Sequence, residues 1–163
     1  MKIGFIGTGL MGTPMIKNLL KSKHQISIFN RTISKAKKLK KYGAYLSYKI
    51  EELVKDKEII ITMLTDDKAV NDIIRSKTFL NNVCKETTVI DMSSTKPSTA
   101  LDNYKTLKKK GVYFLDAPVS GGTKGAESAS LAIMVGGEKK IYKKNLKVLK
   151  MLGIPNYVGK PSS

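Results

Sequence analysis

Three glycines spaced Gly7-x-Gly9-x-x-Gly12 follow the apolar run Lys2-Ile-Gly-Phe-Ile, and further along the chain reads Asn30-Arg31-Thr32. Each glycine in such a spacing has its own task. The first turns the chain tightly off a strand, the second lets a pyrophosphate approach bare backbone, and the third lets the following helix pack closely on the sheet. Backbone N–H groups and the positive end of the helix dipole then hold the anion. Thirteen glycines in 163 residues produce near-matches by chance, so context decides. Here a strand precedes the glycines, an amphipathic stretch from Leu10 to Leu20 follows, and a second strand spans Gln25 to Phe29. Together these form the βαβ unit that a dinucleotide site requires, with Gly7, Gly9 and Gly12 at its turn.

The end of the second strand selects between cofactors. An Asp or Glu there would accept hydrogen bonds from the adenine ribose of NAD, but Asn30, Arg31 and Thr32 stand in its place. Arg31 offers a planar cation suited to a ribose 2′-phosphate, and its neighbours add neutral hydrogen bonds. NADP is therefore expected in preference to NAD. A charge-assisted hydrogen bond is worth about 1.5–3 kcal/mol, or roughly tenfold to a hundredfold in affinity. The competing reading of Arg31 is a solvated loop charge in a chain rich in basic residues.

The elements that must position these groups alternate along the chain. Helical segments are expected at Ile33 to Lys41, Glu51 to Lys55, Ala69 to Ile74 behind an Asp66 cap, Pro97 to about Lys109, and Lys139 to Met151. Strands are expected at Ala44 to Leu46, Glu58 to Leu64, Thr87 to Asp91, Val112 to Leu115 and Ala129 to Val135. This alternation predicts an α/β protein of Rossmann type, a doubly wound, mostly parallel sheet with helices on both faces. Ligands of such sheets sit at the carboxyl ends of the strands. Three post-strand loops therefore matter: Met63-Leu64-Thr65, Ser93-Ser94-Thr95 and Asp116-Ala-Pro-Val-Ser-Gly-Gly122. Leu64 is expected to pack against the cofactor and Thr95 to bond near the nicotinamide ribose. Ser120, with the amides of Gly121 and Gly122, would form a nest for an anion, although Ser-Gly-Gly is equally the sequence of a plain turn.

Composition bounds the remaining possibilities. The length suits one domain, and 41% hydrophobic with 26% charged residues is ordinary for a globular chain. No apolar run reaches membrane-spanning length, and the first one is broken by glycines, so the reading is a cytoplasmic protein without membrane contact. Cys84 is the lone cysteine and has no disulfide or zinc-ligand partner of its own kind. Thirty Lys and Arg against thirteen Asp and Glu give a net charge of +17. The lysines cluster in helical segments without interleaved aromatics, so solvated helix faces are favoured over nucleic-acid binding. A nucleic-acid-associated scaffold that holds NADP structurally stays open as the alternative function. So does a partner of a separately encoded domain. Among candidates for acid–base work, Lys124 and Lys160 lie nearest the loops, His24 sits at the opposite edge, and Tyr113 reads as packing.

Phe5-Ile-Gly-Thr-Gly-Leu-Met-Gly12 with Pro14-Met15 and Asn18-Leu19, Asp116-Ala-Pro-Val-Ser-Gly-Gly122 with Gly125-Ala126, and Ile133-Met-Val-Gly-Gly137 together resemble the β-hydroxyacid dehydrogenases. That family includes 3-hydroxyisobutyrate dehydrogenases, tartronate semialdehyde reductases and succinic semialdehyde reductases. The resemblance spans nearly the whole chain. It departs at Thr65, where the family usually has proline, and at Ser130, where glycine is common. It implies that Leu10, Met11, Asn30, Arg31, Leu64 and Thr95 line the dinucleotide, and that Ser120, Gly121 and Gly122 bind the carboxylate of a small substrate, with Ser120 orienting it for catalysis. It also implies hydride transfer between NADP(H) and a small 3-hydroxy acid or aldehyde acid. In the family a catalytic lysine and an asparagine sit on a long helix after the last strand, leading into a helical domain through which relatives oligomerise. On this resemblance residues 1–163 correspond to the dinucleotide-binding domain, ending before that lysine. The expectation is cofactor binding without efficient turnover.

Overall fold

The computed structural model describes residues 1–162. Its first unit runs β1 (Lys2–Ile6), α1 (Gly12–Leu19), β2 (Gln25–Phe29). Then follow α2 (Ile33–Lys37), a 3-10 turn at Lys40–Tyr42, β3 (Tyr45–Leu46) and α3 (Ile50–Val54). The middle consists of β4 (Ile59–Thr62), α4 (Asp67–Ile74), α5 (Lys77–Asn82), β5 (Thr88–Asp91), α6 (Pro97–Lys108) and β6 (Tyr113–Asp116). The chain closes with β7 (Val119–Ser120), α7 (Gly122–Glu127), β8 (Leu131–Gly136), α8 (Lys139–Lys144), α9 (Leu146–Leu152) and β9 (Gly153–Gly159).

All described strands join one sheet, ordered β3-β2-β1-β4-β5-β6-β8-β7, with β9 paired to β8. From β3 through β6 every pairing is parallel. Chain order reverses at β1, which lies between β2 and β4, so the crevice for a ligand opens beside the carboxyl ends of those strands. β4 and β5 are buried at every position, which explains their unbroken apolar runs. One face of the sheet packs Ile3, Phe5, Ile61 and Ile90 against α1 and α9; the other packs Ile60, Val89 and Phe114 against α3 to α6.

The far edge departs from the parallel plan. β8 runs antiparallel to β6 and meets it only at Asp116↔Gly136, while β7 pairs with the beginning of β8 through Ser120↔Ala132. β8 therefore overshoots the carboxyl edge, carrying Ser120 beyond it by about 13 Å at the usual rise per residue. β9 then lies parallel along β8.

Several elements differ from the sequence expectation. The helix expected over residues 139–151 is two helices, because Asn145 leaves helical geometry at φ −103° and ψ 8° and turns its amide to the Ile141 carbonyl (2.8 Å) and the Thr88 hydroxyl (3.3 Å). Ala129 is not in a strand but adopts φ +55°. α5 was not expected; Ser76 caps it by accepting from the Phe79 N–H (3.1 Å), and Phe79 is wholly buried. Phe79 is the anchor that holds this short helix to the sheet. Phe79→Ala should cost about 3–5 kcal/mol of stability, read from the urea midpoint at unchanged slope; a loss below about 1 kcal/mol would show that α5 docks by other means.

Candidate functional site

Two glycines between β1 and α1 admit no side chain. Gly7 has φ +111°, and a Cβ there would run into the Met63 carbonyl; a Cβ on Gly12 would run into the Gly7 carbonyl. Gly9 differs, since a Cβ there would meet nothing within 4 Å. The turn is thus packed tight at both ends and bare at its middle, the form that suits an anion lying on backbone amides. The loop is braced by Gly7 N–H donating to the Phe29 carbonyl (3.0 Å), Thr8 N–H to Asn30 Oδ1 (2.9 Å) and the Thr13 hydroxyl to the Thr8 carbonyl (2.9 Å). The Thr8 hydroxyl itself is buried and without a partner among the described residues.

Asn30 has a different position from a free ribose ligand. Its carbonyl oxygen is taken by Thr8, and its amide donates to the Thr32 carbonyl (3.0 Å). It staples the glycine turn to the end of β2 and sets the bend from which Arg31 emerges exposed. Next to it lies a cavity of about 340 Å³ lined by Ile6, Gly7, Phe29, Asn30, Arg31, Leu64, Ala69, Asp72 and Ile73. Apolar walls with the Arg31 guanidinium, and the Asp72 carboxylate paired with Lys68, suit a flat heteroaromatic ring carrying a polar or charged substituent. The structure thus brings Gly7, Asn30, Arg31 and Leu64 together. Ala69, Asp72 and Ile73 were missed, although Ala69 and Ile73 share one face of α4 at i,i+4 spacing. Asp66 does cap α4, accepting from the Ala69 N–H at 2.8 Å.

The remaining expected residues lie elsewhere on the same edge. Leu10 is 83% exposed and, with Gly9, borders a second depression of about 620 Å³ beside Lys17, Lys21 and Lys38. Met11 stands just ahead of α1 without a capping bond and packs on the core. Thr32 is exposed ahead of α2. Thr95 precedes α6, its hydroxyl buried and unpartnered among the described residues. Ser120, Gly121 and Gly122 are exposed on the overshooting ribbon, with φ of +136° and +61° at the two glycines. His24 is remote, at the amino edge, where its Nδ1 accepts from the N-terminal amino group at 3.0 Å. Its pKa is lowered by burial first and by that amino group second.

Beneath the loops lies a polar layer in which sequence reading marked Ser93 and Asp116 as loop residues but not the bonds centred on Asp91. Asp91 is fully buried, and its Oδ1 accepts from the Thr62 hydroxyl (2.9 Å) and the Ser93 N–H (3.1 Å). Ser93 in turn accepts from the Leu64 N–H at 2.8 Å. Burial raises the pKa of Asp91 against the opposing pull of these hydrogen bonds. Asp116, its in-register neighbour, is pushed up to about 6 by burial and then by the charge of Asp91. Among the described residues no three His, Cys, Asp or Glu gather to hold a metal ion, and no helix is long and apolar enough to cross a membrane.

Known proteins share this arrangement. The chain is 39% identical over 153 residues to the 2-(hydroxymethyl)glutarate dehydrogenase of Eubacterium barkeri, covering 93% of this chain and 51% of that protein. A solved structure of Mycobacterium tuberculosis 3-hydroxyisobutyrate dehydrogenase with L-serine superposes at TM-score 0.95 with 30% identity, covering 99% of this chain and 55% of that one. An imine reductase from Myxococcus stipitatus, solved with NADP+, superposes at TM-score 0.92 with 25% identity, covering 98% and 55%. The chain spans about half the length of the relatives it matches. Residues 2–159 match the family described as the NAD binding domain of 6-phosphogluconate dehydrogenase, and with the glycine turn, the switch-point crevice and the parallel sheet all present, the chain belongs to that family of pyridine-dinucleotide-binding domains.

Proposed function

We propose that this chain is the NADP-holding part of an oxidoreductase that moves a hydride between the cofactor and a small 3-hydroxy acid or aldehyde acid. The observation that carries this reading is the turn that is closed at Gly7 and Gly12 and bare at Gly9, opening toward an apolar cavity with Arg31 at its mouth. The pyrophosphate would lie on the amides after Gly7, the adenine between Leu64 and the Ala69–Ile73 face, and the 2′-phosphate against Arg31. The unpartnered Thr8 and Thr95 hydroxyls supply donors along the same edge.

A bound nicotinamide supplies or accepts the hydride. The chain's own residues bind and orient: Asn30 fixes the bend that aims Arg31, and Leu64 walls the adenosine pocket. Ser120, with the Gly121 and Gly122 amides, would receive the substrate carboxylate. Their position beyond the carboxyl edge leaves space between nest and crevice for a small acid. Hydride delivery to a carbonyl leaves negative charge on oxygen, which a positioned cation and proton donor must meet. Of the residues assigned here to the substrate end, Ser120, Gly121 and Gly122, none is a lysine or histidine, so we read this span as binding cofactor with slow turnover.

The relatives' names support the acid substrate class, since two of them are dehydrogenases of hydroxy acids. Preference for the 2′-phosphorylated cofactor rests on Arg31 and on the lack of a carboxylate at the end of β2. Arg31→Asp should weaken NADPH roughly tenfold to a hundredfold in calorimetry while changing NADH little; equal loss of both would refute the 2′-phosphate contact. Residues 1–163 mixed with NADPH and succinic semialdehyde or glyoxylate should oxidise the cofactor at a small fraction of the about 10 s⁻¹ typical of enzymes. A typical rate would show that the described residues already hold a complete acid–base set.

A further inference from the structure

Asp91 and Asp116 end adjacent parallel strands and are partners in register. In-register neighbours project to the same face, and parallel strands lie about 4.8 Å apart. The Thr62 hydroxyl, one strand further along, confirms that face by bonding Asp91 Oδ1. The other oxygen of Asp91, Oδ2, is buried with no partner among the described residues. Two ionised carboxylates so close, in a site largely shut off from water, repel each other strongly. A single proton between them would remove the repulsion and give the orphaned oxygen a role.

We propose that Asp91 and Asp116 hold one proton between them, and that Asp91 in this pair is the positioning residue of the cofactor crevice. Through Oδ1 it clamps Thr62 and the Ser93 N–H, and Ser93 holds the Leu64 N–H. Leu64 is a wall of the cavity proposed for adenosine. The clamp thus ties the loop after β4 to the loop after β5. With both carboxylates charged, the pair would push apart and release Leu64. The other charged group whose field reaches the pair is Asp67, at the start of α4, which itself lies against Lys96 ahead of α6. Asp67 is held ionised by the Thr99 hydroxyl and the Lys96 N–H, which keep its pKa low. Its charge therefore adds to the pressure that keeps the proton on the pair.

The direction of the pH effect follows. A carboxyl whose folded pKa lies above its unfolded value stabilises the fold most at acid pH, and that contribution is lost as pH rises through the folded value, here about 6 for Asp116. The positioning role rests on the cofactor reading above, but the proton can be read without any cofactor. Carbon-13 NMR of the aspartate carboxyls in the protein alone should show Asp116 titrating well above the ordinary carboxylate range. Asp91→Asn, which keeps an acceptor at Oδ1 and removes the neighbouring charge, should lower that titration by up to about one pH unit, burial accounting for the larger part of the shift. An ordinary Asp116 titration, or one unmoved by Asp91→Asn, would overturn the shared proton.

Binding is followed with NAD+, which lacks the 2′-phosphate and its own titration. Its affinity for the wild type should fall several-fold between about pH 5.5 and about pH 7.5. In Asp91→Asn and Asp116→Asn the affinity, whatever its level, should lose this pH dependence. An equally pH-dependent affinity in both variants would overturn the positioning role. Failure of the wild type to bind any pyridine dinucleotide would instead overturn the cofactor reading and leave the titration to decide the proton.

Discussion

Close approach of backbone to backbone at the first turn is the constraint on which the rest depends. The Gly7 carbonyl faces Gly12, and the Met63 carbonyl faces Gly7, with no room for a methyl group at either contact. These contacts draw α1 onto the sheet, bring the loop after β4 against the loop after β1, and leave Gly9 bare between them. Their energetic cost is modest because glycine adopts φ of +111° without steric penalty. Every later feature of the crevice, from the Asn30 staple to the Leu64 wall, takes its position from this turn.

That turn was legible in the sequence because it depends on residue type alone. Gln25 to Phe29 was bounded as the structure has it, and Asp66 read correctly as a cap, since both signals are local. What escaped was decided at a distance. β9 contains Pro155, which argues against a strand by the usual rule, yet it lies on the outer side of β8, where a missing N–H is tolerated. The break at Asn145 depends on the Thr88 hydroxyl reaching it from β5. The Asp91–Asp116 register is invisible because twenty-four residues of chain and all of α6 intervene between the two aspartates. The cavity residues on α4 fall in the same class: their spacing was readable, but not that their face would meet the end of β2.

Charge is distributed so that the strong positive balance does not govern the crevice. Among the described residues two ion pairs form, Lys68 with Asp72 at 2.6 Å and Arg75 with Asp102 at 3.6 Å. Both are exposed pairs of the kind that contribute little to stability. Several lysines instead lie over tyrosine rings: Lys17 over Tyr42 at 4.5 Å, Lys108 over Tyr104 at 5.4 Å and Lys144 over Tyr113 at 5.9 Å. A ring already covered by an ammonium group offers one face fewer for stacking on a nucleobase.

Acidic groups gather at the carboxyl edge, with Lys68 and Lys96 among them. Asp66 and Asp67 open α4, Asp72 lies along it, and Asp91 and Asp116 close their strands, all toward the carboxyl edge. Against a diffuse positive field that draws any anion to the surface, these carboxylates lower the potential at the crevice mouth. On the cofactor reading proposed above, an anion would be retained there where it finds directed donors: the amides after Gly7, the Thr8 hydroxyl and the Arg31 guanidinium. In a chain with this excess of lysine, selectivity for a phosphate of defined shape, as the cofactor reading requires, would draw on local negative charge that suppresses unspecific binding as well as on the donors that reward the right one.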